Sequence, residues 1–181
     1  TGAADYEELW KNFDVIGWDG GIGPDDRHYA MRWSDDEILH CDLAKSFYPD
    51  KPVANNEAHN IPGKYGGEIS SEFIRAALFQ PFLHGRNAAV LWVWDVDGHN
   101  PWGNHIFTRA NTHHAAAVAA LDLRRLADFV TAFQRITGPV AVLYSLPSMA
   151  DSSHVKNLTG VYEGIFFAGF PVRFVSERQV A

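Results

Sequence analysis

Lys51-Pro-Val-Ala-Asn-Asn-Glu-Ala-His-Asn-Ile-Pro-Gly63 is the stretch on which the reading of the fold turns. Its first half is apolar and is entered through Pro52, a residue suited to the start of a strand and not to a helix interior. Its second half is polar and ends in the breaker pair Pro62-Gly63. Glu57 stands where the strand should stop, with Asn55 and Asn56 before it and His59 and Asn60 after it. A carboxylate at a strand end, among hydrogen-bonding side chains, is how α/β enzymes build sites. The plainer reading is that Glu57 caps the next segment or faces water, and the neighbouring segments bear on the choice.

Toward the N-terminus, Ser34-Asp-Asp-Glu37 has the form of a capping box, which assigns Asp35, Asp36 and Glu37 to the first turn of a helix. Ile38, Leu39, Leu43, Ala44 and Phe47 form its expected buried stripe, and Pro49 ends it. Further back, Phe13 to Trp18 reads as a short buried strand and Tyr6 to Asn12 as a short amphipathic helix. Asp19-Gly-Gly-Ile-Gly-Pro24 between them reads as a loop. Its glycines form no phosphate cradle, because no Lys-Ser/Thr follows.

Toward the C-terminus, a helix is expected from Ile69 to His84, with Ile69, Phe73, Ala76, Ala77 and Gln80 on one side and Gly85 as its C-cap. Ala88 to Trp94 is apolar on both alternating faces, so a strand covered on both sides is expected. Asp95 to His105 is a second polar, aromatic loop after a strand end. Thr112 to Arg135 reads as one long helix, buried through Val118, Leu121, Leu126, Phe129, Val130 and Phe133. Pro139 to Ser145 is a new strand, Leu158 to Ala168 a helix buried through Val161, Ile165 and Phe166, and Val172 to Val175 a last strand. Strands alternating with helices at this spacing predict βα units of a parallel sheet or barrel. Loops after consecutive parallel strands share one edge, which is where such folds bind ligands.

The chain has 181 residues, 46% of them apolar, enough for a substantial core. A net charge of −7 without long runs argues against a nucleic-acid partner. Cys41 is the sole cysteine, so neither an internal disulfide nor a cysteine zinc site is expected. No apolar run is long enough for a membrane-spanning helix, and no membrane partner is expected. The compartment stays open. The start at Thr1 and the stop soon after a strand suggest a piece of a longer protein.

Three chemistries are compatible with residues of this kind. His59, His99, His105, His113 and His114 lie near the two loops, but no pair has zincin spacing, and Asp95-x-Asp97-Gly lacks the rest of a calcium loop; no metal and no cofactor are expected. A serine hydrolase would want Gly-x-Ser-x-Gly, which is absent, leaving Ser145 after a strand as its weak candidate. Glycoside hydrolysis needs two carboxyl groups astride the scissile bond. Glu57 suits the attacking one. Asn55, Asn56 and His59 could hold it and bind hydroxyls, as could Asp95 and His99, while Trp92, Trp94 and Trp102 offer stacking surfaces for sugar rings. Trp18 and Trp33 are further loop tryptophans by this reading.

These residues, in this order, resemble the last third of the catalytic barrel of family-42-type β-galactosidases and the opening of their trimerisation domain. Pro52 to His59 resembles the seventh barrel strand, whose glutamate is the family's nucleophile. Ala88 to Asp95 resembles the eighth, and Thr112 to Arg135 the helix that leaves the barrel. Pro139 to Ser148, with Val161 to Val172, resembles the flavodoxin-like start of the trimerisation domain. The resemblance implies residues 1–137 from a (β/α)8 TIM barrel and 138–181 from a flavodoxin-like α/β domain. It implies a retaining β-glycosidase acting on a carbohydrate substrate, with Glu57 as nucleophile and the acid/base residue upstream of Thr1. It also implies a homotrimer of the longer protein. Two departures stand out: the family's eighth-strand loop usually has an arginine near the position of Asp95, and its cysteine zinc cluster cannot be made here. The same scaffold could instead serve as a catalytically silent carbohydrate-binding or assembly module.

Overall fold

A computed structural model describes residues 4–20, 37–58, 69–92, 109–149 and 152–180. The elements in chain order are α1 (Tyr6–Lys11), β1 (Ile16–Gly20), α2 (Leu39–Phe47), β2 (Val53–Ala58), α3 (Ser71–Leu83), β3 (Ala88–Leu91), α4 (Ala110–Arg125), α5 (Ala127–Gln134), β4 (Val140–Leu143), α6 (Leu146–Met149), α7 (Ser152–Phe167), β5 (Val172–Val175) and α8 (Glu177–Val180). β1, β2 and β3 form one parallel sheet in that order, and β4 and β5 form a second parallel pair. The alternation of strand and helix, with parallel pairing, is the α/β arrangement expected from sequence.

The stripe expected on α2 is present: Ile38, Leu39, Leu43, Ala44 and Phe47 are all buried, joined by Cys41. They pack with Ile16 of β1 and Val53 of β2 beneath the sheet, and with Val142, Tyr144, Tyr162, Val172 and Phe174 from the second pair of strands and α7. One core therefore underlies both sheets. Each fully buried aliphatic side chain contributes about 1.5–3 kcal/mol to such a core. A second cluster joins Ile74 and Leu78 of α3 to Ala115, Ala116, Ala119 and Leu123 of α4 and Val130 of α5.

Polar contacts weld the first core. Asp42 of α2 accepts from the Tyr162 hydroxyl of α7 at 2.6 Å and meets Nδ1 of His84, just past α3, at 2.8 Å. Burial, then the adjacent Asp42 carboxylate, push the Tyr162 phenol well above its ordinary pKa, so it stays a donor. Ser46 of α2 accepts from the Phe174 N–H of β5 at 2.8 Å. Burial raises the pKa of the Cys41 thiol well above its ordinary value, which makes it an inert core residue.

Several expectations need correction. The first strand begins at Ile16; Phe13 and Val15 are exposed. Asp19 and Gly20, read as loop, belong to that strand. The buried side of α3 is Ile74, Ala77, Leu78 and Pro81, while Phe73, Ala76 and Gln80 are only half-buried. The long helix is two helices parted at Leu126, with Val118, Leu121, Phe129 and Phe133 exposed. The physical reason is size: α4 meets α3 through small residues, Ala115, Ala116 and Ala119, which let the helix backbones approach closely, so the larger apolar residues face outward. Val161 of α7 is likewise exposed, and Leu158 and Tyr162 are buried in its place. β3 buries neither face fully, and Val90 is 61% exposed.

The helix ends follow their expected chemistry. At Gly85 (φ +117°) the Gly85 N–H bonds to Phe82 O at 3.3 Å and the Arg86 N–H to Pro81 O at 2.9 Å, the paired bonds of a Schellman motif. Gly169 (φ +83°) closes α7 in the same way, with the Gly169 N–H on Phe166 O and the Phe170 N–H on Ile165 O. Gly138, ahead of β4, is glycine for another reason: a Cβ there would collide with the Pro171 carbonyl oxygen.

Gly138→Ala should therefore lower stability by about 1–3 kcal/mol, because the obstacle is backbone and cannot swing aside. Gly160→Ala, in the interior of α7 with open space around it, should raise stability by up to about 1 kcal/mol. Thermal or urea denaturation of the two variants checks the pair. A third expectation concerns acid. Arg178 of α8 donates to Asp5 at 2.6 Å and to Glu7 at 3.2 Å, and its hydrogen bond holds the Asp5 carboxyl below its ordinary 3.8. A depressed carboxyl pKa stabilises the fold above the unfolded value, and that stabilisation is lost as pH falls through the folded one. Arg178→Ala should accordingly lower stability at neutral pH and leave it little changed once pH lies below the folded pKa of Asp5, so that urea denaturation followed from neutral to acid pH shows the two proteins converging.

Candidate functional site

The site is organised by an irregularity in β2. On one side, Asn55 pairs with Trp18 and Glu57 with Asp19, so two steps along β2 match one along β1. On the other side, Asn55 pairs with Ala89 and Ala58 with Leu91, again one residue more on β2. The β1 ladder places a β-bulge at Asn56, and the β3 ladder places one between Asn55 and Ala58. A bulge resets which residues point to which face. Val53, Asn55 and Ala58 are fully buried on the face that packs against helices, whereas Asn56 is exposed and Glu57 half-buried. Without the extra residue, strict alternation would set Glu57 on the helix side with Val53 and Asn55. With it, Glu57 falls on the opposite face with Ala54, whose partner on β3 is Ala88.

Sequence reading gave Asn55 two roles, holding the Glu57 carboxylate and binding sugar hydroxyls; the structure shows what its side chain bonds to. Asn55 is wholly buried, and its amide is committed internally. Nδ2 donates to Gly20 O at 2.8 Å and to Oε1 of Glu37, while Oδ1 accepts the Glu57 N–H at 2.9 Å. The last bond spans two residues, as in an Asx turn, and clasps the bulge. Glu37, read as a capping residue, is 1% exposed, and its Oε2 pairs with Arg86 Nη1 at 3.0 Å; Ser34, its expected capping partner, lies outside the described residues.

Arg86 is fully buried between α3 and β3. It also donates to Leu78 O at 3.3 Å and lies over the Phe82 ring, 4.7 Å from its centroid. Burial lowers the guanidinium pKa, and the Glu37 carboxylate opposes that effect. The turn that carries Arg86 is fixed from outside. Gln134 of α5 donates to Phe82 O and Arg86 O at 2.7 and 3.0 Å, and Asn87 exchanges bonds with the Val53 backbone at 2.7 and 2.8 Å.

The other expected site residues fall as follows. Asn56 is exposed, and its side chain lies over Gly17, with Nδ2 2.5 Å from where a Cβ would stand. Trp92 follows β3 and is anchored by its N–H to Ala58 O at 3.1 Å; continued alternation sets it on the Ala88 and Val90 face, the face of Glu57. His59, Trp94, Asp95, His99, Trp102 and Trp33 lie outside the described residues. Trp18 is no loop residue. It lies in β1, packs against the first core and sits 5.6 Å from the His40 ring of α2.

Sequence reading missed Asp19, Glu37 and Arg86. The first was hidden in a glycine-rich run, yet it is in register with Glu57 and exposed, a second carboxylate at the same sheet end. A cavity of about 400 Å³ lies below β3 among Ala89, Leu91, Leu78, Phe82, Ala116 and Leu123. It is on the helix side of the sheet, away from the Glu57 face. Among the described residues, no group of His, Cys, Asp and Glu side chains could hold a metal ion, and no helix is long and apolar enough to cross a membrane.

No protein-family model matches the chain, and no curated protein matches it in sequence. Solved structures do. An exo-carrageenase of family GH42 from Bacteroides ovatus superposes with a TM-score of 0.74 and 27% identity, over 96% of this chain and 26% of that one. A catalytic mutant of a GH42 β-galactosidase from G. stearothermophilus gives 0.73 and 16%, over 97% and 28%. A cold-adapted β-galactosidase from Rahnella sp. R3 gives 0.67 and 14%, over 95% and 28%. The last two share the fold at identities too low to say more. The chain spans little more than a quarter of each. By structure it corresponds to a fragment of the GH42 glycoside hydrolases.

Proposed function

We propose that this segment supplies the nucleophile of a retaining β-glycosidase, with Glu57 as the attacking carboxylate. The observation that carries the reading is the bulge in β2. It takes an acidic residue at the C-terminal end of the central parallel strand and turns it off the helix-packed face, beside the strand that leads into Trp92. A structural carboxylate would have no need of that device, since ordinary alternation would leave it on the packed face.

In the proposed reaction, a Glu57 oxygen attacks the anomeric carbon while the glycosidic oxygen leaves with a proton from a second carboxyl group. Water then attacks the glycosyl ester, giving up its proton to that same group, and Glu57 is released as carboxylate. The second carboxyl group comes from outside this segment, about 5 Å from Glu57 as retention requires. The segment alone is accordingly expected to be inactive. Trp92, with Trp94 and Trp102, would supply stacking surfaces for the sugar, and Asn56, His59, Asp95 and His99 would bind its hydroxyls. Residues 1–137 would be the C-terminal part of the barrel and 138–181 the start of a flavodoxin-like domain. Aryl β-galactosides are the first substrates to test, given the β-galactosidases among the neighbours.

In the complete polypeptide that carries these residues, Glu57→Ala should lower kcat by at least about 1,000-fold. Azide should restore part of the turnover and yield a glycosyl azide of inverted configuration. Steady-state kinetics with product analysis decides. Turnover by Glu57→Ala near the wild-type rate excludes the assignment.

A further inference from the structure

Resting on the reading of Glu57 as nucleophile, we infer that the buried Glu37–Arg86 ion pair is a positioning device for that carboxylate, acting through the Asn55 amide. The orientation of one side chain carries the effect. An amide can be turned over at little steric cost, exchanging its oxygen and nitrogen. At Asn55 the exchange is forbidden electrostatically. The Nδ2 side faces two acceptors, the Gly20 carbonyl and Glu37 Oε1, and the Oδ1 side faces a donor, the Glu57 N–H. Turned over, the amide would set oxygen against a carbonyl and a carboxylate, and N–H against N–H.

Glu37 provides the charged acceptor of this set, and a bond to a charged acceptor is the stronger kind. Arg86 makes a buried carboxylate tolerable at that point, holding Oε2 at 3.0 Å while Oε1 is left to Asn55. An unpaired carboxylate at 1% exposure would tend to take up a proton and lose its hold on the amide. The sequence of effects is therefore Arg86 on Glu37, Glu37 on Asn55, Asn55 on the bulge, and the bulge on the direction of Glu57. Neither Glu37 nor Arg86 reaches the face on which Glu57 stands, so both act on catalysis through position alone. A misplacement of about 1 Å at a reacting group can cost roughly 100-fold in rate.

The test uses the complete polypeptide and an aryl β-galactoside. Three variants are compared: the apolar replacement Glu37→Met with Arg86→Leu, the single change Asn55→Ala, and the triple combination. Replacing both members of a buried ion pair with apolar residues commonly preserves the fold. The inference expects kcat to fall about 10- to 100-fold in each, with KM changed by less than about 3-fold, and the rate of covalent trapping of Glu57 by a 2-fluoro glycoside to fall in parallel. It also expects the triple variant to be no slower than Asn55→Ala, because the pair works through that amide.

A folded pair variant with wild-type kcat overturns the inference, as do multiplying effects in the triple variant or a loss confined to KM. If the pair variant fails to fold, Asn55→Ala with the ion pair intact decides, and wild-type kcat there overturns it. Those outcomes leave the nucleophile reading standing. Undiminished activity of Glu57→Ala, or wild-type protein inert toward a panel of aryl β-glycosides, removes both.

Discussion

The clasp of the Asn55 side chain on the Glu57 N–H is the interaction on which the functional geometry depends. A strand seated between two parallel neighbours has its side-chain directions fixed by the ladder on each side. An inserted residue breaks that rule in each ladder, at Asn56 against β1 and between Asn55 and Ala58 against β3, and only the last residues of β2 feel it. Bulges leave backbone groups out of step with the ladder, and a buried group left without a partner costs about 1–3 kcal/mol. The asparagine immediately before the inserted residue takes up the Glu57 N–H. The irregularity is thus stabilised locally, by a side chain whose own remaining bonds are satisfied from β1 and from the residue ahead of α2.

Much of the fold was legible because hydrophobic runs and breakers are local signals. Pro52, the turn at Gly85 and the helix stop at Gly169 each announce themselves, and β2, β5 and the stripe on α2 stand where the sequence puts them. The helical faces were harder. A reading by hydrophobicity favours Val118 and Leu121 on α4, but its packing on α3 selects for small residues, and the alanines win. The break at Leu126 carries no proline or glycine to signal it.

The site was legible only in part. Glu57 stood out because an acidic residue at a strand end is chemically unusual, and its neighbourhood to the strand that leads into Trp92 follows from the order of βα units. The role of Asn55 did not stand out, because a bulge is a relation among three strands and leaves no mark in one of them. Glu37 and Arg86 were hidden for a related reason. Each sits in a context with a sufficient local explanation, a helix start and a turn after a helix. Their meeting joins positions 49 residues apart in sequence.

The second sheet bears on the site through α2. Ser46 accepts from β5, Asp42 accepts from Tyr162 of α7, and Phe47 packs edge-on to Tyr144 beyond β4, at 5.7 Å between ring centroids. These contacts fix one flank of α2 to the second unit. The other flank lies against Ile16 and Val53 beneath the first sheet. Glu37 stands directly ahead of this helix, in a residue pair already coiled into it, so the carboxylate that orients Asn55 is located by a helix gripped from both sides. A clamped helix resists the small rotations that would draw Oε1 away from the amide. Residues of the second sheet and of α7 thereby share in holding the strand end, and the continuous core beneath both sheets has a role there beyond stability.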